Sequence, residues 1–578
     1  MENHSTRQGD NINFKNFYTT DILVIGGVAA GPKAAARARR LAPEREITIV
    51  DKCDEVSYAG CGLPFLVSGD VSRRLDLMTT YSGEIRDPAY FEKVKGIRVL
   101  TRVEARSINR KPKEVQLVDI QSGRSFSMRY RQLVLATGSR PVFPDLEGVK
   151  LENIYCLHRP GDAAAIREAI ASGEIKRAVV VGAGPVGLEA VDALVRNGIK
   201  TTVVEILPAP APKLLDPELG GLLRKHLEEQ GVALEMEDRV MRFEGNGQGR
   251  VHRVITGKKT LEADLVVMGL GVRPEVDIAV RAGLALGPTG AIRVNDRLQT
   301  SDPDIYAGGD CVEVNHLLTG KPVYAPLGST ANKHGRVIGD NITGRDSRFP
   351  GVLGTYIVRT LETTIARTGL TEQEAMEAGH SVVTALVAAL DRPHYMPGNR
   401  PLVMKLVASR EGRLLGIQIV GRGEVAKRMD VAAAAISTGA TLERVSNMDL
   451  AYAPPFATDM DALIQGVNVL RNKIDETAST VAAPEIRSWL DEGKDFTILD
   501  VRTEQEYDTL WLDFDNVVNI PLDQLRNRLN ELPRDREIVT LCALGPRSYE
   551  GARLLQHHGF GRVKFLEGGM VAWPYELW

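Results

Sequence analysis

A strand, a glycine-rich turn, a helix and a second strand ending on an acid occur twice in this chain, and few folds accommodate that repeat. The first copy is an apolar strand at 21–25, the turn Gly26-Gly27-Val28-Ala29-Ala30-Gly31, a helix at 32–41 and a strand at 46–50 closing on Asp51. The second is a strand at 178–181, the turn Gly182-Ala183-Gly184-Pro185-Val186-Gly187, a helix to 197 and a strand at 201–204 closing on Glu205. Glycine permits the tight turn and lets backbone approach a pyrophosphate seated on the helix N-terminus. The acid follows the last glycine by 20 residues in the first copy and 18 in the second, which places a carboxylate on an adenosine ribose hydroxyl. Two copies with correctly spaced acids argue against plain turns, although Val28 stands where a middle glycine is usual. The expected architecture is α/β with two Rossmann-like dinucleotide-binding domains. Gly26, Gly27, Gly31 and Asp51 are candidate ligand contacts in the first, and Gly182, Gly184, Gly187 and Glu205 in the second. A carboxylate at 205 repels a 2′-phosphate and no arginine follows at 206–215, so NADH is expected over NADPH.

At 578 residues the chain has room for about three to five domains. With 72 basic and 75 acidic residues the net charge is −3, so no overall field draws it to nucleic acid or anionic lipid. A hydrophobic content of 43% excludes a disordered or collagen-like chain. Residues 1–20 are polar and lack the apolar stretch of a signal peptide. No run reaches the length of about 18 apolar residues that a membrane helix needs, and the longest, 431–442, reads as a packed alanine-rich helix. Five scattered cysteines (53, 61, 156, 311 and 542) form neither a zinc spacing nor a disulfide framework, so no metal site is expected. The expectation is a cytoplasmic protein with no membrane or nucleic-acid partner.

Two further segments join the first unit: Leu133-Val134-Leu135-Ala136-Thr137-Gly138-Ser139 and Ile305-Tyr306-Ala307-Gly308-Gly309-Asp310-Cys311. With these the chain resembles flavoprotein reductases built from two dinucleotide-binding domains. The resemblance implies FAD on the first unit, with Thr137, Gly138, Gly309 and Asp310 among its contacts, and NADH on the inserted second. It also implies an α+β dimerisation domain, hence a homodimer, around strands at 402–408 and 414–420 and a helix at 432–438. After a small polar stretch read as a linker, the strand at 496–499 with Asp500-Val501-Arg502, and the strand at 538–541 running into Cys542, resemble an α/β rhodanese domain. The expected division is an N-terminal extension 1–20, FAD domain 21–145 and 265–345, NADH domain 146–264, dimerisation domain 346–471, linker 472–483 and rhodanese domain 484–578.

Cys61 lies ten residues past Asp51 in Ser57-Tyr58-Ala59-Gly60-Cys61-Gly62-Leu63-Pro64-Phe65. Val56, Leu66, Tyr58 and Pro64 stand where a dithiol reductase would carry a second cysteine, so Cys61 has no local disulfide partner. A helix starting at 62–64 is expected to lower its thiol pKa. The segment resembles the single-cysteine coenzyme A-disulfide reductases, NADH oxidases and NADH-dependent persulfide reductases, over residues 20–470. In these the cysteine cycles between thiol and either a mixed disulfide or a sulfenic acid. The resemblance implies coenzyme A contacts at Lys33, Arg37, Arg40, Ser57, Lys95 and Asn332. It departs at Gly60, where the family often has asparagine. Tyr452-Ala453-Pro454-Pro455-Phe456 matches a family segment that reaches the partner subunit's site, which makes Tyr452 a catalytic candidate. The lysine expected soon after is replaced by Thr458-Asp459-Met460-Asp461, which puts the strength of coenzyme A binding in question.

Cys542-Ala543-Leu544-Gly545-Pro546-Arg547-Ser548 reads as a strand–loop–helix cradle whose backbone N–H groups converge on sulfur and stabilise a thiolate or persulfide. A cysteine phosphatase would place its arginine one residue later, where Ser548 stands. Cys542 and Arg547 therefore join Cys61 and Tyr452 as catalytic candidates. Three functions compete: an NADH-dependent reductase of sulfane sulfur (persulfide, polysulfide, coenzyme A-persulfide or coenzyme A-disulfide), an NADH oxidase reducing O₂, and a sulfurtransferase or sulfur carrier. The appended persulfide loop favours the first.

Overall fold

The computed structural model describes residues 17–577. Strand Phe17–Ile25, fully buried from Leu23, lies between Ile47–Val50 and Ser125–Leu135, both parallel to it, with Leu23 level with Thr48 and Leu133. It begins four residues before the expected start, because Phe17 to Thr20 continue the pairing with Ser127 to Tyr130. Ile305–Ala307 adds alongside Leu133 to Leu135, so the 305–311 segment returns to the first sheet after the whole insertion. Arg98–Leu100 beside Ile47–Val50 and an antiparallel meander, Val103–Asn109 and Glu114–Asp119, complete that seven-stranded sheet. Helix Ala30–Leu41 packs against helix Gly328–Asn341 through small residues, and a Cβ on Gly335 or Gly339 would lie 2.6 Å from the Cβ of Lys33 or Arg37.

The inserted unit is a five-stranded parallel sheet in the order Ala233–Met236, Lys200–Glu205, Arg177–Val181, Leu265–Met268, Ile154–Tyr155. Leu265–Met268 pairs with Arg177–Val181, so this unit runs past the boundary expected at 264. A short antiparallel pair, Ser139–Pro141 with Val272–Pro274, carries both crossings between the units.

The next domain is an antiparallel sheet in the order Tyr356–Thr360, Thr363–Gly369, Leu414–Gly421, Pro401–Ser409, Val382–Leu390, covered by helices Ala426–Ser437 and Ala462–Ile474. Its Lys405, 4% exposed at the side chain, binds Asp216, Glu218 and Glu372 at 3.1, 3.0 and 2.6 Å. A buried ammonium needs such partners, and here two of them come from the start of helix Pro217–Glu229 in the inserted unit. Asp461, within the stretch that replaces the expected lysine, caps Ala462–Ile474 and pairs with buried Arg428 at 2.9 Å.

The last domain is a five-stranded parallel sheet in the order Thr480–Val481, Val563–Leu566, Glu537–Leu541, Phe496–Asp500, Val517–Asn519. Residues 472–483 differ from the free linker expected there. Helix Ala462–Ile474 covers their start, strand Thr480–Val481 pairs with Phe565 and Leu566, and helix Ala483–Asp491 begins at their end. The backbone N–H groups of Thr477 and Ala478 both donate to the Asn472 carbonyl, which satisfies a helix-terminal acceptor. Small polar residues here mark a tight helix exit rather than a tether. Among the described residues no helix is long and apolar enough to cross a membrane, and no cluster of His, Cys, Asp and Glu could hold a metal ion.

Candidate functional site

The two acids of the repeated unit sit in matching hydrogen-bond frames. Asp51 accepts from the N–H of Gly27 (2.7 Å) and of Cys53 (2.8 Å). Glu205 accepts from the N–H of Ala183 (2.8 Å) and of Leu207 (3.0 Å). In each case the donors are the residue after the first glycine and the residue two past the acid. The carboxylate thus locks the turn that would receive the pyrophosphate. The third glycines pack helix on strand: a Cβ on Gly31 or Gly187 would lie 2.0 Å from the carbonyl oxygen of Gly26 or Gly182. Gly184 is different, since a Cβ there would meet no protein atom within 4 Å, which leaves the space a pyrophosphate needs.

A cavity of about 680 Å³ opens along the first turn. Gly26, Gly27, Asp51, Thr137, Gly138, Gly309 and Asp310 all line it, whereas Gly31 lies behind it in the helix packing. Asp310 is half-buried, accepts one hydrogen bond from Ser139 Oγ at 3.2 Å, and is pushed up in pKa by burial. Thr137 Oγ1 donates to the Glu275 carbonyl at 2.6 Å, so its hydroxyl proton is already committed to the protein. A Cβ at Gly138 would meet nothing within 4 Å. A cavity of this size with glycine openings, backbone at a helix N-terminus and carboxyls in its lining fits an adenine dinucleotide, and these residues would hold FAD.

Cys61 lies in the 3₁₀ turn Gly60–Gly62, ahead of helix Leu63–Ser68, and is exposed. Its Sγ would be 3.7 Å from a Cβ on Gly328, so the start of the long helix Gly328–Asn341 stands beside it. The expected lowering of its pKa is not found. Desolvation by the surrounding protein pushes the thiol up, and the carboxylates of Glu189 and Asp310 add to this. The helix that follows Cys61 has only six residues, and desolvation, with the two acids behind it, sets the direction. Glu189, on helix Pro185–Arg196, is itself raised to about 7 by burial and then by Asp192. Sequence reasoning does not find it. The available signal is an acid two residues after the last glycine, in a helix segment whose neighbours are all apolar. Cys53, Cys156 and Cys311 are likewise raised, each first by burial, and Cys156 donates to Asp162 at 3.3 Å.

Of the residues expected around coenzyme A, Lys33 and Arg40 are exposed on helix Ala30–Leu41 and Asn332 on Gly328–Asn341. Arg37 is instead paired with Asp340 at 2.7 Å, which offsets its charge. Lys95 lies over the Tyr90 ring at 5.4 Å, at the end of a helix joined to the first by Arg39 donating to the Gly96 carbonyl. Ser57 is buried at a φ of 53° with its N–H on the Gly27 carbonyl, so its backbone supports the turn. Tyr452 and Phe456 are 50% and 70% exposed, Tyr452 beside exposed Tyr395.

Cys542 ends strand Glu537–Leu541 and is buried. One backbone N–H, that of Gly545, donates to its Sγ at 3.1 Å, and the thiol lies 3.5 Å from Ser548 Oγ. Helix Pro546–His557 starts directly after. Arg547 does not present a free cation to the sulfur: both its terminal nitrogens donate to Glu506 at 2.7 Å.

Residues 20–334 match the family Pyridine nucleotide-disulphide oxidoreductase, 357–463 the dimerisation domain of that family, and 482–575 the Rhodanese-like domain. An NAD(P)H coenzyme A polysulfide/persulfide reductase of Pyrococcus horikoshii is 36% identical over 451 residues, 78% of this chain and 98% of that protein. The solved structure of a NAD-dependent persulfide reductase from A. fulgidus superposes with a TM-score of 0.91 at 43% identity, covering 96% of this chain and all of that one. Reduced Bacillus anthracis CoADR-RHD superposes with a TM-score of 0.88 at 33% identity, covering 96% and 98%. Over residues 20–334 and its dimerisation domain, with a rhodanese-like domain appended, the chain belongs to the pyridine nucleotide-disulphide oxidoreductases, a family that works with FAD and NAD(P)H.

Proposed function

We propose that this protein is an NADH-dependent flavoenzyme that reduces sulfane sulfur, taking a persulfide, polysulfide, coenzyme A-persulfide or coenzyme A-disulfide at Cys61. The observation that carries this reading is the presence, in one chain, of two cysteine sites of different kinds. One is an exposed lone thiol within the electrostatic reach of Asp310, which lines the dinucleotide cavity, and the other a buried thiol accepting a hydrogen bond from a loop N–H. An oxidase that reduces O₂ has no use for the second. The two structural relatives named above superpose over nearly the whole chain, and one of them is a NAD-dependent persulfide reductase, which supports the reading.

Cys542, attacking the outer sulfur of a donor, would hold it as a persulfide and pass it to coenzyme A or another small thiol. Attack by the Cys61 thiolate on the inner sulfur of that small persulfide forms a mixed disulfide and expels hydrosulfide. FAD held in the cleft supplies the two-electron link from NADH that returns the mixed disulfide to two thiols. Lys33, Arg40, Lys95 and Asn332 offer the basic and polar surface for an anionic carrier, with Arg37 already neutralised by Asp340. The protein works as a homodimer in which Tyr452 of one protomer reaches the Cys61 cleft of the other and hands a proton to the leaving thiolate. NADH is preferred because Glu205 stands where a 2′-phosphate would lie. Steady-state NADH turnover with polysulfide, coenzyme A-persulfide, coenzyme A-disulfide and O₂ as separate acceptors tests the reading. Faster turnover with O₂ than with every sulfur acceptor would replace it with the oxidase.

A further inference from the structure

The segment after the last strand is held on two sides. Gly568 and Gly569 both have positive φ, 67° and 58°, and face opposite neighbours. A Cβ on Gly568 would collide with the Ala572 Cβ at 2.4 Å, while Leu386 and Ala388 N, both on the strand Val382–Leu390 of the dimerisation sheet, lie at ordinary contact distances of 3.7 and 3.8 Å. A Cβ on Gly569 would stand 2.4 Å from the Cys542 carbonyl oxygen and 2.7 Å from that of Ala543. The next two N–H groups, of Met570 and Val571, donate to these same carbonyls at 3.0 and 3.1 Å. Glycine at 569 allows the backbone to lie this close to the Cys542 loop.

Attachment to the reductase body is polar as well as apolar. Glu567, 6% exposed, accepts from Lys473 Nζ at the end of helix Ala462–Ile474 and from Leu386 N at 3.2 Å. Lys225 Nζ donates to the carbonyls of Trp573 (3.4 Å) and Tyr575 (2.9 Å) from helix Pro217–Glu229. Leu544, inside the Cys542 loop, and Val571 pack on the core that contains Leu386 and Ala388. The loop around Cys542 is therefore built against residues that lie more than 150 positions earlier in the chain.

We propose that residues 567–575 form a strap through which the reductase body sets the geometry of the Cys542 loop, with Glu567 as a positioning residue for sulfur transfer. This rests on the sulfur-carrier role of Cys542 given above. A buried carboxylate that loses its ammonium partner is left uncompensated, so removing Lys473 releases Glu567 from its place and lets the segment carrying Gly569 shift away from Cys542.

The test uses the full-length holoenzyme with Lys473→Gln and Lys473→Arg. Two rates are read: alkylation of Cys542 by iodoacetamide, followed by mass spectrometry, and thiosulfate:cyanide sulfur transfer. Lys473→Gln should raise the first and lower the second by roughly five- to tenfold, as local opening of a buried loop does, while NADH-dependent coenzyme A-disulfide reduction stays at the wild-type rate. Lys473→Arg should restore both rates. Rates within twofold of wild type in Lys473→Gln, even with a lower Tm, would overturn the strap, since the contact would then only hold domains together. Failure of Lys473→Arg to restore them would overturn it too. If the wild type transfers no sulfur at all, the carrier reading falls, and the alkylation comparison alone decides whether the strap shapes the loop.

Discussion

Arg547 and Glu506 are joined by two parallel hydrogen bonds of 2.7 Å, and this pair fixes the arginine of the Cys542 loop against the helix Glu504–Thr509. The bonds from Arg547, more than any other contact, hold the Glu506 carboxyl down at about 2. A carboxyl depressed on folding adds stability above its unfolded value and loses it as pH falls through its folded value. The contribution of this partly exposed pair should therefore fade between about pH 4.5 and 2. Glu506→Gln should flatten the acid dependence of rhodanese-domain unfolding in that window, measured by denaturation of both proteins across pH. It should also free Arg547 and lower thiosulfate:cyanide transfer severalfold. An identical acid profile in the variant would show that the pair adds nothing.

Cys61 is expected to behave as a thiol of raised pKa. Its alkylation rate should climb through the alkaline range, and Glu189→Gln, by removing a nearby negative charge, should move that profile to lower pH and speed alkylation at pH 7. Cys61→Ser should retain bound flavin, seen in its visible spectrum, and lose coenzyme A-disulfide and persulfide reduction by at least about 10³-fold, the scale of losing a nucleophile. Turnover near wild type in that variant would remove Cys61 from the chemistry.

For the nucleotide, kcat/KM with NADPH should fall below that with NADH by about tenfold or more, as a like charge without a partner costs a ligand. Glu205→Ala should narrow that ratio. Because Glu205 also accepts from Ala183 N and Leu207 N, the same variant should weaken NADH binding, a cost that a simple surface acid would not carry.

Cys542→Ser should abolish thiosulfate:cyanide transfer and cut polysulfide reduction, and leave reduction of preformed coenzyme A-disulfide intact. Unchanged polysulfide turnover would mean that Cys61 meets the substrate directly.

Sedimentation should show a dimer, and Tyr452→Phe should slow disulfide reduction by about 10²-fold, the usual weight of a positioned proton donor, without dissociating it. A fully active monomer would refute the shared site.

Features that depend on a few consecutive residues are legible in the sequence. The two turns, their acids and the strand–loop–helix around Cys542 each lie within one short stretch, and local backbone rules are enough to read them. Glu189 is not legible as a neighbour of Cys61, because 128 positions of chain separate them and only packing brings them together. The pKa of Cys61 goes the other way from the expectation for the same reason: the following helix is local and visible, whereas the desolvating protein and the opposing acids arrive from elsewhere. Arg37 reads as a free cation in the sequence because its partner Asp340 stands on another helix. Residues 472–483 mislead for a different reason, since small polar residues serve a helix exit as well as they serve a loose chain.

The connection between helix Ala462–Ile474 and strand Thr480–Val481 is five residues long, and five residues cannot stretch beyond about 17 Å. The sulfur-carrying domain is thus no swinging arm, and its leash is too short for it to visit distant positions on its own molecule. On the proposed reading, sulfur leaving Cys542 would travel as a dissolved passenger. The two stations then share a pool rather than a channel, and their joint flux should depend on how much low-molecular-weight thiol the surrounding solution contains, falling on dialysis and returning when that thiol is restored.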